Sequence, residues 1–371
     1  MKIQYSGGNM RTIYDGFTRM QTEKPTFFAG ANTGNGFAGE YNTIASEESR
    51  KRVWIIKGGS GTGKSTLMGK IAAEAETEGH RCVRYLCSSD PDSLDAVVID
   101  DRYAVVDGTA PHVWEMQYPG ASSEILYVGK YWKRERLEEK RDEIRELCRR
   151  KQAAFRAGYT RLAALSRVEE ELYETAMEIL DRAKLEKVLL RLLKGVHRGE
   201  RTGGVQICRT WTVSVKGLFC TDGLYAQAEN HWYVRDLYQT APCFFAILTE
   251  LCAEQHVPVH LSQHPVNDRV VEAYIPALSL HISMGTERDP DKTICMSRFV
   301  RKELLTERKG SIRLSAGCAR SLLQDACTRF REAGESHAAL EAIYREAMDF
   351  GQMNRDTAVI RRQIRKILEE D

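Results

Sequence analysis

Residues Gly58-Gly59-Ser60-Gly61-Thr62-Gly63-Lys64-Ser65 fit the pattern G-x-x-x-x-G-K-[ST], and the apolar run Val53-Trp54-Ile55-Ile56 leads into them. A strand that feeds a glycine-rich turn and then a helix aims several backbone N–H groups at one point. That point is also the positive end of the helix dipole, so it suits a polyphosphate. Glycine is needed there because a side chain would block backbone approach and most residues resist positive φ. The expected phosphate-binding residues are Gly58, Gly59, Ser60, Gly61, Thr62, Gly63, Lys64, Ser65 and Thr66. Lys64 would reach the β- and γ-phosphates, and the Ser65 hydroxyl would ligate Mg²⁺. Downstream, Thr66–Ala75 reads as an amphipathic helix ended near Gly79, which completes the strand–loop–helix context.

Outward from this helix, Arg81–Cys87 reads as a second strand, with a polar segment, Ser88–Asp95, behind it. Ala96–Ile99 and Tyr103–Asp107 are further strand candidates. Strands alternating with helices in this way imply a parallel sheet with helices on its faces. Asp107 ends a β-branched run and is the expected partner of Ser65 in holding the metal, with Asp100 or Asp101 as runner-up. Many ATPases place a water-orienting glutamate directly after that aspartate, but here the position is Gly108. A base must therefore come from elsewhere. Asp90 and Asp95 are candidates just past the end of a strand, where open α/β sheets bind ligands, although Ser-Asp-Pro-Asp is equally good turn chemistry. His112, behind Pro111, is a candidate contact for the γ-phosphate or an acceptor, against the simpler reading of a loop histidine. The segment Ala29–Gly36 could cover a nucleotide or be an ordinary loop.

From Tyr131 to about Gly195 proline vanishes, and leucine and isoleucine recur at helical spacing among charges. Two or three long helices are expected, arranged as an antiparallel arm with a break near Gly158. The mixture of both charge signs reads as a solvated face rather than a nucleic-acid grip. Over the whole chain, 54 basic residues stand against 52 acidic ones, so no electrostatic footprint for nucleic acid or membrane arises. No apolar run approaches a membrane span, and residues 1–25 carry no signal-peptide core, so a cytoplasmic location is expected. The ten cysteines are scattered without a C-x-x-C pair, which reads as reduced structural thiols and no metal beyond Mg²⁺.

The second half echoes the first in degraded form. Val53–Lys57 lines up with His231–Arg235 at an offset of 178, and Thr62 and Gly63 then fall on Thr240 and Ala241. Phe27–Gly30 is matched with Leu218–Cys220, Asp90-Pro91 with His264-Pro265, and Leu172–Met177 with Ile343–Met348. The copy Asp236–Cys243 has no glycine, no lysine and no metal-ligating hydroxyl where those are needed. Asp236 would also repel an anion. The second half is expected to be a structural or regulatory domain without ordinary nucleotide binding.

The blocks Phe27–Phe37 (FFAGANTGNGF), Lys57–Met68 (KGGSGTGKSTLM), Cys87–Asp95 (CSSDPDSLD) and Asp107–His112 (DGTAPH) resemble an uncharacterised bacterial family of ATPase-like proteins. Its members are built from two tandem P-loop NTPase halves, each with a helical appendage. The resemblance implies an α/β fold of tandem P-loop NTPase-like parallel-sheet domains, ATP as the nucleotide and Mg²⁺. Members usually keep a glycine-lysine-serine loop in both halves, and this chain departs from them at Asp236–Cys243. The expected layout is an NTPase domain over 1–130, a helical arm over 131–200, a degenerate α/β domain over 201–305 and a helical segment over 306–371.

Three functions compete on this reading. The first is a Mg-dependent ATPase using Lys64, Asp107, Asp90 and His112, whose helical arms engage an undefined protein partner. The second is a small-molecule kinase with Asp90 or His112 at the acceptor and Arg134, Arg136 and Arg141 closing as a lid. The third is a nucleotide-gated interaction module without turnover. ATP is expected over GTP because no N-K-x-D motif is present.

Overall fold

A computed structural model describes residues 13, 17–20, 22, 24–110, 114–196, 204–284 and 290–370. In chain order the first half runs β1 (Thr18–Met20), β2 (Thr26–Phe28), β3 (Gly30–Thr33), β4 (Gly36–Gly39), α1 (Tyr41–Ile44) and β5 (Arg52–Lys57). There follow α2 (Lys64–Thr77), β6 (Cys82–Leu86), β7 (Leu94–Ile99), β8 (Tyr103–Asp107), β9 (Ser123–Tyr127), α3 (Arg134–Glu139), α4 (Arg141–Ile179) and α5 (Arg182–Leu192). The second half runs β10 (Val205–Cys208), β11 (Trp211–Ser214), β12 (Gly217–Thr221), β13 (Asn230–Arg235), α6 (Ala241–Glu254), β14 (Val259–Gln263) and β15 (Val270–Ile275). It ends with β16 (Leu280–Ser283), β17 (Lys292–Cys295), α7 (Lys302–Glu346) and α8 (Phe350–Glu369).

The chain divides into two compact α/β units, each assembled from separated segments. The first unit comprises Arg19–Thr160, Arg209–Gly223 and Ala326–Asp371. Its six-stranded sheet has the order β2-β6-β7-β8-β5-β9. Strand β5 is apolar on both faces because both are covered, as expected for a central strand. Trp54 and Ile56 pack with Leu67, Met68 and Ile71 of α2 and with Met353, Ile364 and Leu368 of α8. Val53 and Ile55 face Tyr41, Ile44, Val98 and Trp114 on the other side. Helix α8 is fixed to α2 by polar contacts as well, with Arg361 on Glu74 and Arg365 on Glu78.

The second unit comprises the described residues of Arg161–Cys208 and Leu224–Asp325, with Ile13, Phe17 and Thr18. Its sheet has the order β10-β14-β15-β16-β13-β17. Helix α6 buries Phe244, Phe245, Ile247 and Leu248, and Arg182 of α5 pairs with Glu250 of α6 at 2.5 Å.

Two expectations are corrected. The sheets are mixed rather than parallel: β7 runs antiparallel to both β6 and β8, and β15 runs antiparallel to both β14 and β16. For β7 and β8 the short Asp100–Arg102 turn is the reason, since a parallel return would need a crossover of about a dozen residues. Both aspartates of that turn adopt positive φ, 51° and 57°. Nor is there a break near Gly158, because α4 continues through it for 39 residues. Glycine serves packing there, since a Cβ would fall 2.8 Å from the Phe330 ring.

Candidate functional site

The stretch read as decisive folds as strand, loop and helix. Ile56 on β5 is level with Asp107 on β8, so the aspartate stands at the mouth of the Gly58–Gly63 loop. Gly61 and Gly63 take φ of 68° and 83°, the left-handed region that side chains disfavour. Gly63 caps α2, whose first residues are Lys64, Ser65 and Thr66. Lys64 folds back over the loop and donates to the carbonyls of Gly58 (2.9 Å) and Gly59 (2.8 Å). Its ammonium lies 3.5 Å from Asp107 Oδ2. Within the loop, the Thr62 hydroxyl donates to the Gly59 carbonyl, and Ser60 precedes the first left-handed glycine.

Thr109 ties the aspartate to the loop. Its N–H donates to Asp107 Oδ1 (2.8 Å) and its hydroxyl donates to the Gly58 carbonyl (2.7 Å). Between them Gly108 has no room for a glutamate: a Cβ would lie 2.4 Å from Ile55 Cγ2. Ser65 Oγ accepts from the Leu94 N–H at 3.0 Å, which leaves the hydroxyl a second lone pair. The hydroxyl of Ser65 and the carboxylate of Asp107 are hard oxygen donors of the kind Mg²⁺ takes, so the residues fit that ion. Among the described residues, no group of three or more His, Cys, Asp or Glu is arranged to hold a metal by itself.

Asp95 is not past a strand end as expected but inside β7, and it is 4% exposed. The register Ala96↔Val106 brings the next residues, Asp95 and Asp107, side by side. Burial and then the Asp107 charge raise the Asp95 carboxyl from 3.8 to about 7, against hydrogen bonds from Cys87 and Tyr41. Burial likewise raises Asp107, opposed by Lys64 and Thr109. Asp95 holds its proton in the fold but loses it in the unfolded chain as pH rises through 3.8, so folding weakens up to pH 7. Asp95→Asn, in EDTA, is expected to stabilise the protein, and by more at pH 8 than at pH 5. Urea titrations at the two pH values measure this; an equal shift at both would contradict it.

Asp90 lies beyond β6 as expected, but its carboxylate closes its own turn, accepting from Ser93 Oγ (2.9 Å) and the Asp92 N–H (3.3 Å). Asp100 sits at the opposite end of β7 and β8 from the loop, where it holds His80 and the Arg81 N–H. His112 lies outside the described residues. Asn32, in the Ala29–Gly36 segment, donates its amide N–H to the Val213 carbonyl (2.8 Å) and accepts from the Tyr159 hydroxyl on Oδ1 (2.9 Å). Arg136 donates to the Glu346 carbonyl at 3.1 Å.

Two residues that sequence reasoning missed stand at the loop. Glu341 of α7 accepts from the Gly61 N–H at 3.2 Å, and His337 one turn earlier has Nε2 3.8 Å from the same carboxylate. Burial, with Lys151 nearby, lowers the His337 pKa, so the ring is neutral near pH 7. No local signal marks either residue, because both occupy ordinary positions on a long polar helix.

In the second unit, the segment at offset 178 follows β13 and precedes α6. Gln239 has φ 61°, matching Gly61 at that offset. The Asp236 carboxylate accepts from the Tyr238 N–H (3.0 Å), the Thr240 hydroxyl (3.0 Å) and the Ala241 N–H (2.8 Å). A built-in carboxylate thus meets the N-terminus of α6 from within its own loop. No protein-family model matches the chain, and no curated protein or solved structure matches it either.

Proposed function

We propose that the chain is a Mg-dependent ATP-binding protein and ATPase that uses the Gly58–Ser65 loop, with a second unit that binds no nucleotide. The observation that carries this reading is Lys64, folded over a loop with two left-handed glycines and facing Asp107 on the neighbouring strand. An ammonium held by two carbonyls and a carboxylate can transfer to phosphate oxygens without a large change of rotamer. Ser65 and Asp107 would hold Mg²⁺, which supplies charge neutralisation across the β- and γ-phosphates. The resemblance to two-loop ATPase-like proteins supports ATP as the nucleotide. The ten cysteines stand as thiols, which fits residence in the cytoplasm.

Tandem duplication is part of the proposal. Counted along its own half, each six-stranded sheet has the same strand order. The hairpin turns match as well: Thr33 Oγ1 donates to the Gly36 carbonyl (2.8 Å), and Ser214 Oγ to the Gly217 carbonyl (3.0 Å). Their glycines have φ of 104° and 105°. This pairing places Phe27–Gly30 and Leu218–Cys220 on non-equivalent strands, so that one sequence match is accidental. Helix caps repeat too, with Asp181 accepting from the Lys184 N–H and Asp349 from the Gln352 N–H. In each unit the backbone N–H of the cap residue bonds the end of a 3₁₀ turn, Asp181 to Phe299 and Asp349 to Tyr131.

The test is phosphate release from Mg·ATP by the purified chain, without acceptor, against the same reaction in EDTA. Slow Mg-dependent release supports an ATPase. Binding with no release except in the presence of an acceptor would replace it with a kinase.

A further inference from the structure

We propose that Glu341 is a built-in competitor of the nucleotide: its carboxylate occupies the Gly61 N–H that a polyphosphate oxygen needs, and binding displaces it. This rests on the reading of Gly58–Ser65 as a phosphate loop. A loop of N–H donors ahead of a helix N-terminus attracts an anion, and a side-chain carboxylate is an anion the chain can provide. Glu341 Oε1 is at hydrogen-bond distance from Gly61 N, and the helix backbone follows it closely. A Cβ on Gly61 would lie 2.6 Å from the Glu341 carbonyl oxygen, so α7 itself covers this part of the loop. A carboxylate and a phosphate sharing one N–H donor would bring two like charges into contact, and they repel at that separation.

The two units differ in how permanent the carboxylate is. Asp236 belongs to its own loop, is 4% exposed and accepts three hydrogen bonds, so it cannot leave without stranding three donors. Glu341 comes from a helix 280 residues away in sequence, accepts one loop N–H, and its side chain is 35% exposed. It can therefore swing into water when phosphate arrives. The first loop is gated where the second is sealed, and affinity for nucleotide depends on how firmly α7 holds Glu341 in place.

The test compares the full-length wild type with Glu341→Gln and Glu341→Ala, and with Glu335→Gln, an exposed position on the same helix, as control. Calorimetry measures binding of two probes, Mg·AMP-PNP and Mg·tripolyphosphate, which lacks a base. Backbone hydrogen exchange of residues 58–63 is read without ligand. Both Glu341 variants are expected to bind both probes at least tenfold more tightly and to exchange faster at the loop, with the control unchanged. Unchanged or weaker binding of AMP-PNP by the variants, with wild-type binding intact, would overturn the gate while leaving the nucleotide reading standing. If neither wild type nor variants bind either probe, gate and nucleotide reading fall together.

Discussion

Lys64→Ala is expected to weaken Mg·ATP binding at least hundredfold and to abolish phosphate release. Lys64 is the residue of the loop that carries a full positive charge, and it sits between two loop carbonyls and Asp107. Charge-assisted hydrogen bonds to phosphate contribute about 1.5–3 kcal/mol each, and two of them amount to two or more powers of ten. The substitution also leaves Asp107 without its ammonium, which pushes that buried carboxyl further toward its neutral form. A neutral Asp107 is a poor metal ligand, so the loss in turnover should exceed the loss in binding. Lys64→Arg separates the two contributions, because a guanidinium keeps the charge but cannot fit the same pair of carbonyls. Titration with a fluorescent ATP analogue, alongside thermal melts to establish folding, measures all three proteins.

Asp236→Ala is expected to destabilise the second unit by about 3 kcal/mol, without changing nucleotide affinity at the first loop. Removing the carboxylate strands the Tyr238 N–H, the Thr240 hydroxyl and the Ala241 N–H in a buried setting. Each buried donor left without a partner costs about 1 kcal/mol or more. Asp236→Asn keeps one acceptor oxygen and should cost roughly half as much. Urea titration followed by hydrogen exchange over α6 reads the effect where it arises. A neutral substitution would show that the carboxylate does not hold this segment.

The loop, its flanking strand and its helix were legible in the sequence because all of their requirements are local. Glycines at φ above zero, an apolar run and a helix N-terminus lie within twenty residues of one another. Asp107 was legible for the same reason, as the polar end of a β-branched strand. The reversal of β7 was not, because Ala96–Ile99 is equally apolar in either direction and the turn signal lies in only three residues, Asp100–Arg102. The burial of Asp95 beside Asp107 depends on that reversal, since register alone brings the two together. Glu341 was beyond reach altogether. Its contact with Gly61 comes from α7 packing in the first unit, between positions 280 residues apart.

Gly158 failed as a helix breaker for a related reason. Its cost in an isolated helix is about 1 kcal/mol, whereas the close approach of Phe330 permits nothing larger at that position. Tertiary packing overrode local propensity there. In the second unit the segment 236–243 has neither glycine nor lysine, yet Gln239 adopts a left-handed φ of 61°. Asp236 accepts from the residues on either side of that turn, the Tyr238 N–H and the Thr240 hydroxyl, and from the Ala241 N–H.

The most direct test of the account is the stoichiometry of Mg·AMP-PNP binding to the full-length chain by calorimetry. One site per chain, lost in Lys64→Ala and retained in Asp236→Asn, is the predicted result. Two sites, or one site that persists in Lys64→Ala, would contradict it.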